Sequence, residues 1–250
     1  MMRLALAGAL LGMALAVAAQ QYDVLAGAPR TSLYLQADYT QPAAAAACDW
    51  HASGDEYLVQ DAGRFGRGCR VILRLTGTIN RAGAAYFMSV ANEVSLRGHS
   101  VSVLALDSRG GDADASIDIA QRIRRDAVFD GVLTRVADGY DAICFSGCVI
   151  VFAAGYRRVA EFDVDGNPEL PSRLGIHSPG QYDRASRGYD SSAANREIGR
   201  IERRMKAWFR QIGVDAALVD DMFEVPFDGI RLLSQADFER YGLAVEPLTE

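Results

Sequence analysis

The sequence predicts an α/β fold, in which a mostly parallel sheet is flanked by helices. Strand-like apolar segments at 71–79, 101–106 and 132–137 alternate with stretches whose apolar residues recur at helical spacing. The segment 101–106 is almost entirely apolar, which is typical of a strand that is covered on both faces. Such alternation favours β-α units in one sheet, and ligands of such sheets bind at the carboxyl ends of the strands.

Helices are predicted from the spacing of apolar residues in three stretches. Residues 84–94 and 112–127 each place apolar side chains on one helical face, and residues 198–212 do so over a longer stretch. The segment 143–154 is apolar nearly throughout and is predicted to be one buried helix. These helices fall between or after the strands, as an α/β fold requires.

The composition excludes some classes of partner. The chain has 250 residues, of which 50% are hydrophobic and 23% are charged, and this is enough to build one substantial core. Its formal net charge of −6 argues against a nucleic-acid-binding protein, because phosphate recognition needs a basic face. We find no cofactor-binding motif, and no cofactor is expected.

The N-terminal residues 1–19 form a signal-peptide pattern. Arg3 precedes an apolar run over 4–19, and polar Gln20 follows it. The run is shorter than the roughly 20 residues that a membrane span needs. We therefore expect a periplasmic or secreted protein without a membrane span after cleavage, and an uncleaved N-terminal anchor is the alternative. Residues 20–69 are interpreted as an irregular extension, and 70–250 as the folded domain.

The four cysteines are interpreted in the light of this predicted export. An oxidising compartment allows thiols to pair, and sequence proximity suggests the pairs Cys48–Cys69 and Cys144–Cys148. Four cysteines allow three pairings, and spacing alone does not choose between them. A zinc site at Cys48, His51 and Cys69 is the rival, but it lacks a fourth ligand at a recognisable spacing, so no metal is expected.

Three short segments carry residues that suit nucleophilic catalysis: Asp107–Gly111, Cys144–Cys148 and Gly175–Pro179. A serine nucleophile needs a base within hydrogen-bond reach and amide donors for the oxyanion that forms on attack. Ser146, at the predicted start of a buried helix, is the candidate nucleophile. His177 is the candidate base, because an imidazole accepts and returns a proton near neutral pH.

Glycines in the same segments are the candidate oxyanion donors. The pair Gly110 and Gly111 follows a predicted strand, where backbone angles closed to other residues leave amide hydrogens free. Gly111 is the preferred donor of the pair. The amide of Gly147, directly after the serine, is expected to face the same oxyanion.

The order of these segments resembles the proteolytic subunit of the Clp protease, within the ClpP/crotonase superfamily. The resemblance covers roughly 70–245, and the Cys-x-Ser-x-Cys segment is most similar to exported ClpP-like proteins of bacteria. It implies repeated β-β-α units, with Ser146 as nucleophile, His177 as base, and Gly111 and Gly147 in the oxyanion hole. It also implies a homo-oligomer, since members of the family often form rings or trimers.

Two departures from the family pattern concern Arg109 and the catalytic acid. Arg109 stands where the family commonly has proline, which changes the stiffness of the loop and not its number of amide donors. Ile230 stands where the aspartate is expected. Asp228 is nearby, while Asp220 and Asp221 on a predicted helix are alternatives. A dyad without an acid is also open, because the acid orients the histidine and is not the nucleophile.

These residues favour an exported serine hydrolase, and more narrowly a peptidase that acts on a peptide or protein substrate. The rival is a catalytically silent ClpP-like scaffold that binds a peptide or protein partner at the same groove, and the Ile230 departure favours it. Thioester chemistry of the crotonase type is a third interpretation. It ranks last, because an exported protein meets little coenzyme A.

Overall fold

Two β-sheets and a set of helices make up the structure, a computed structural model that describes residues 31–37, 57–58, 69–139, 141–160, 172–178 and 191–243. All of these belong to the compact unit that begins at Thr31. The strands are β1 Ser32–Ala37, β2 Tyr57–Leu58, β3 Arg70–Thr76, β4 Ser100–Asp107, β5 Leu133–Val136, β6 Cys144–Phe145, β7 Arg157–Val159, β8 Leu174–Ile176 and β9 Arg231–Leu232. The helices are α1 Arg81–Leu96, α2 Ala113–Arg125, α3 Gly147–Ala153, α4 Ser191–Gln211, α5 Ala217–Glu224 and α6 Gln235–Tyr241.

The larger sheet has six strands in the order β2-β1-β3-β4-β5-β7. Neighbours from β3 to β7 pair in parallel, whereas β1 pairs antiparallel with both β2 and β3. This confirms the predicted α/β fold with a mostly parallel sheet and flanking helices. The carboxyl ends of β3, β4 and β5 therefore meet at one edge.

The smaller sheet has three strands in the order β6-β8-β9, with β6 parallel and β9 antiparallel to β8. It is joined to the larger sheet by an isolated parallel bridge between Ser108 and Cys144. In this bridge the Ser108 amide donates to Ile143, and the Phe145 amide donates to Ser108. The smaller sheet therefore begins where β4 ends.

The core lies between the larger sheet and the helices. Along β3, buried residues alternate with half-buried ones, so that Val71, Leu73 and Leu75 face the core. Helix α1 begins at an Asn80 cap, whose side chain accepts from the Gly83 amide, and buries a face that includes Phe87. The Phe87 ring stacks on Phe129 of the 3-10 turn that follows α2, with 5.6 Å between ring centroids.

An ion-pair cluster ties α4 to the start of α2. Arg200 and Arg204 of α4 both donate to the Asp114 carboxylate, and Arg204 also pairs with Asp118. The two guanidinium groups hold the pKa of Asp114 below its ordinary value, mainly through the hydrogen bond from Arg200. Arg200 and Arg204 thus dock α4 on α2.

Two expectations about elements were wrong. Residues 20–69, interpreted as irregular, contain β1 and β2, because the buried side chains of Leu33 and Leu35 and a full ladder to β3 make β1 part of the sheet. The segment 143–154 is not one helix. It starts as β6 and becomes α3 only after Ser146.

The predicted signal peptide 1–19 lies outside the described residues, and within those residues no helix has the length and apolarity to cross a membrane.

The Phe87–Phe129 contact gives a test of the packing. We expect Phe87→Ala to lower the free energy of unfolding by about 3–5 kcal/mol, because it removes a fully buried ring and leaves a cavity. Leu96→Ala in the same helix is the control and should change it by less than about 0.5 kcal/mol, since Leu96 is 83% exposed. Urea unfolding of both variants measures the difference, and equal losses would contradict this packing.

Candidate active site

The three segments singled out in the sequence lie side by side. The Ser108–Cys144 bridge places the end of β4 against β6, and the β6–β8 ladder pairs Phe145 with Gly175. Ser146 follows β6 and His177 follows β8, so both leave adjacent parallel strands at the same carboxyl edge. The two sheets thus bring together residues that are up to 70 positions apart in the chain.

Ser146 has an unusual backbone conformation. Its φ is 52° and its ψ is −121°, and it is the one non-glycine residue with positive φ in the described part of the chain. Such a conformation costs on the order of 1–3 kcal/mol and persists only where the surrounding structure enforces it. The Ser146 amide donates to the Gly175 carbonyl at 2.8 Å, and the side chain is 6% exposed. The turn aims the serine as the tight strand-to-helix turn of many hydrolases does.

Gly110 packs directly against this serine turn. A methyl group at Gly110 would lie 2.8 Å from Ser146 Cβ and 2.4 Å from the Phe145 carbonyl oxygen. The φ of Gly110 is 89°, which also favours glycine. The glycine is therefore required twice, by its conformation and by the close approach of two backbones.

The amides of Gly111 and Gly147 are both available as donors. Within the described residues neither N–H has a hydrogen-bond acceptor. Ile79 bonds instead to Gly110 and Asp112, on either side of Gly111. Gly147 is the first residue of α3, and the first amides of a helix have no acceptor within that helix. A methyl group at Gly147 would lie 3.4 Å from the Gly111 nitrogen, so the two backbones are in contact. It would also lie 2.4 Å from the Ser116 hydroxyl oxygen, which closes the space beside Gly147.

Two serines that the sequence did not indicate as functional support this arrangement. The buried Ser108 hydroxyl accepts from the Gly110 amide at 3.0 Å and donates to the Gly77 carbonyl, which fixes the glycine turn. Ser116 donates to the Asp112 carbonyl and packs against Gly147. The sequence does not single out Ser108, because a serine near a glycine is common. It does not single out Ser116 either, because Ser116 is distant from Gly147 in the chain.

His177 is half-buried, and its ring has two contacts within the described residues. Nδ1 lies 2.8 Å from the Ser178 carbonyl oxygen, and the Phe227 ring packs edge-on at 5.5 Å between centroids. A carbonyl oxygen only accepts, so Nδ1 carries the proton of the neutral ring and Nε2 keeps its lone pair. Burial lowers the pKa of His177 below its ordinary value of 6.5, and the carbonyl contact opposes this in part.

The hydroxyl of Ser146 and the ring of His177 share no hydrogen bond in this structure. Their backbones are brought near each other by the hydrogen bond from the Ser146 amide to the carbonyl of Gly175, two residues before His177. In proteins without bound substrate, catalytic hydrogen bonds are often long and tighten only on binding. The arrangement is therefore compatible with a nucleophile and its base.

Among the described residues, no carboxylate contacts His177. The β8–β9 ladder pairs Ile176 with Arg231, and one further step in this register sets Ile230 opposite His177. Ile230 is 41% exposed, and its Cγ2 would lie 2.6 Å from a methyl group at Gly175. The Ile230 side chain thus lies beside Gly175, two residues before His177.

The candidate acids lie elsewhere. Asp228 is exposed in the turn before β9, and Asp220 of α5 pairs with Lys206 at 2.5 Å. Asp221 accepts hydrogen bonds from the Tyr241 hydroxyl and from Arg231 and Arg240. The structure therefore brings the serine, the histidine and the glycines together and leaves these three carboxylates out of contact with the imidazole.

The predicted Cys144–Cys148 disulfide is confirmed, with 5.2 Å between its Cα atoms. Cys69 is also disulfide-bonded and so is not a zinc ligand. Its predicted partner Cys48 lies outside the described residues, as does His51. Within the described residues, no group of three or more cysteine, histidine or acidic side chains is arranged to hold a metal ion.

Comparisons with known proteins give a fold likeness at low identity. No protein-family model matches the sequence, and no curated protein gives a significant match. Among 231 significantly similar chains of known structure is a mutant of the 1510-N membrane-bound stomatin-specific protease. The similarity has a TM-score of 0.44 and 16% sequence identity, and covers 68% of this chain and 75% of that one.

The contact between Gly110 and the serine turn gives a prediction with an internal control. Gly110→Ala adds both backbone strain and a clash, whereas Gly131→Ala adds strain alone, since Gly131 has a φ of 71° and no atom within 4 Å of its added methyl. We expect Gly110→Ala to lower the free energy of unfolding by about 1–3 kcal/mol more than Gly131→Ala does. Urea unfolding measures both, and equal values would contradict the close packing.

Proposed function

We propose that this chain is an exported serine peptidase of the ClpP-like type. In this proposal Ser146 is the nucleophile, His177 is the base, and the amides of Gly111 and Gly147 form the oxyanion hole. The single observation that carries it is the Ser146 turn, in which a serine at positive φ lies beside two amides without acceptors in the described structure. Strained residues of this kind concentrate at active sites.

The proposed chemistry follows from the positions of these groups. Ser146 Oγ attacks the carbonyl carbon of the scissile bond while its proton passes to His177 Nε2. The carbonyl oxygen becomes an oxyanion and accepts from the Gly111 and Gly147 amides. The bond to the leaving amine breaks as His177 returns the proton to that amine. Water, activated by the same imidazole, then hydrolyses the acyl-enzyme.

A peptide or protein is the proposed substrate because apolar side chains are exposed next to the histidine. Phe227, Ile230 and Leu232 are each about two-fifths exposed, and Phe227 touches the imidazole. Large exposed apolar side chains that cluster at a site suit the apolar side chains of a peptide. Export is supported by the Cys144–Cys148 disulfide, since disulfides persist in oxidising compartments, and by the signal-peptide pattern.

A second candidate is a silent scaffold that binds a peptide without cleaving it. The observation that favours it is that no described carboxylate contacts His177, while Ile230 is next in the β8–β9 register to it. The Ser178 carbonyl holds the tautomer but carries no full charge, so it stabilises an imidazolium less than a carboxylate does. The two candidates differ in whether Ser146 is reactive.

Labelling with a fluorophosphonate probe tests the reactivity of Ser146. We expect intact mass spectrometry to show one adduct on the wild-type protein, and none on Ser146→Ala, because the probe phosphonylates an activated serine hydroxyl. His177→Ala should slow labelling by at least about 100-fold. An adduct that persists in Ser146→Ala would refute the assignment, and no adduct on folded wild-type protein would favour the scaffold.

The pH dependence of labelling tests the base. Because burial lowers the pKa of His177 below 6.5, the imidazole stays neutral down to a lower pH than a free histidine does. The labelling rate should therefore fall as the pH drops, with its midpoint below 6.5. A midpoint above 6.5 would show that another group, or a charged partner of His177, sets the rate.

Ile230→Asp tests whether the missing acid limits the site. A carboxylate opposite His177 should raise the pKa of the imidazole and speed labelling by at least about tenfold. Leu232→Asp is the matched control, because Leu232 is similarly exposed two residues further along the chain but pairs with Gly175. If only Ile230→Asp labels, the wild-type chain is the scaffold, and if Ile230→Asp brings no gain, position 230 is not the place of the acid.

A further inference from the structure

The Cys144–Cys148 disulfide brackets the strained serine. Cys144 belongs to β6 and Cys148 to α3, two residues before and two residues after Ser146. Both cysteines are fully buried. The five-residue loop that the bond closes has Ser146 at its centre, and Ser146 is the residue whose φ is 52°.

The contacts of Ser146 with other segments do not explain this conformation by themselves. The Ser146 amide is held by the Gly175 carbonyl, but β6 is only two residues long and α3 is only seven. Gly110 leaves room for the serine turn, but it has no side chain that could force Ser146 into this conformation. The disulfide adds a covalent tie between the short strand and the short helix that meet at this serine, and so limits how far the turn can relax toward negative φ.

We infer that the Cys144–Cys148 disulfide is a positioning device for the nucleophile, which holds Ser146 at positive φ and so aims its hydroxyl and the Gly147 amide at the same point. This rests on the proposed function only for its effect on reactivity. Its effect on backbone conformation stands apart from any catalysis. Without the bond we expect the fold to persist, because most of the core is formed by side chains other than those of Cys144 and Cys148.

Labelling kinetics give the first test. Cys144→Ala/Cys148→Ala should lower the maximal rate of fluorophosphonate labelling at saturating probe by at least tenfold. It should leave the apparent affinity for the probe within about threefold, because the apolar surface near His177 is unchanged. The control is Cys48→Ala/Cys69→Ala, which removes the other two cysteines and should keep the wild-type rate. If the wild-type protein labels, equal rates in all three proteins would overturn the inference.

A stability cycle tests the same idea without any reactivity. Ser146→Gly and Ser146→Ala both remove the hydroxyl, but only glycine adopts positive φ without strain. With the disulfide present, the Ser146→Gly protein should melt about 2–4 °C above the Ser146→Ala protein. In the Cys144→Ala/Cys148→Ala background this difference should vanish or reverse, because the turn relaxes and glycine adds entropy to the unfolded chain.

The two tests separate the possible failures. If the wild-type protein does not label but the melting difference depends on the disulfide, the positioning role stands and the peptidase proposal fails. If the melting difference is the same with and without the disulfide, the rest of the turn holds Ser146, and the inference is overturned even when Ser146 is reactive. Should the alanine pair fail to fold, the same cycle in Cys144→Ser/Cys148→Ser decides.

Discussion

The candidate site depends on the contact between two backbone turns, one after β4 and one after β6. Gly110 and Ser146 approach so closely that no side chain fits at position 110. This contact exists because the Ser108–Cys144 bridge joins the two sheets at their carboxyl ends. The same contact brings the backbones of Gly111 and Gly147 next to each other.

The electrostatics of the site differ from those of a complete triad. The His177 ring is oriented by the neighbouring Ser178 carbonyl and by the Phe227 ring, and burial keeps it neutral. A neutral, oriented imidazole suits a base, but no carboxylate of the described residues contacts the ring to stabilise an imidazolium formed during the reaction. The carboxylates on α5 are instead engaged with cations and with Tyr241, where they fasten helices and β9 to each other.

Much of the fold, and which residues belong to the candidate site, could be predicted from sequence because local patterns indicate them. Apolar runs and helical spacing locate β3, β4, α1 and α2, and the glycines flanking a serine and a histidine mark the turns. What could not be predicted depends on contacts between distant segments. The β1 strand follows from pairing with β3, and the split of 143–154 follows from the Ser108 bridge. The surroundings of Ile230 follow from the register of β9, which no local pattern encodes.

The antiparallel ladder of β1 has a consequence for aggregation. β1 covers β3 along nearly its whole length, from Ser32 opposite Thr76 to Ala37 opposite Val71. In a chain that begins near Cys69, the seven residues of β3 would form an unpaired sheet edge that contains the buried leucines Leu73 and Leu75. Exposed edges of this kind pair with other copies and aggregate. Strand β1 thus keeps the edge of β3 from pairing with another copy of the chain.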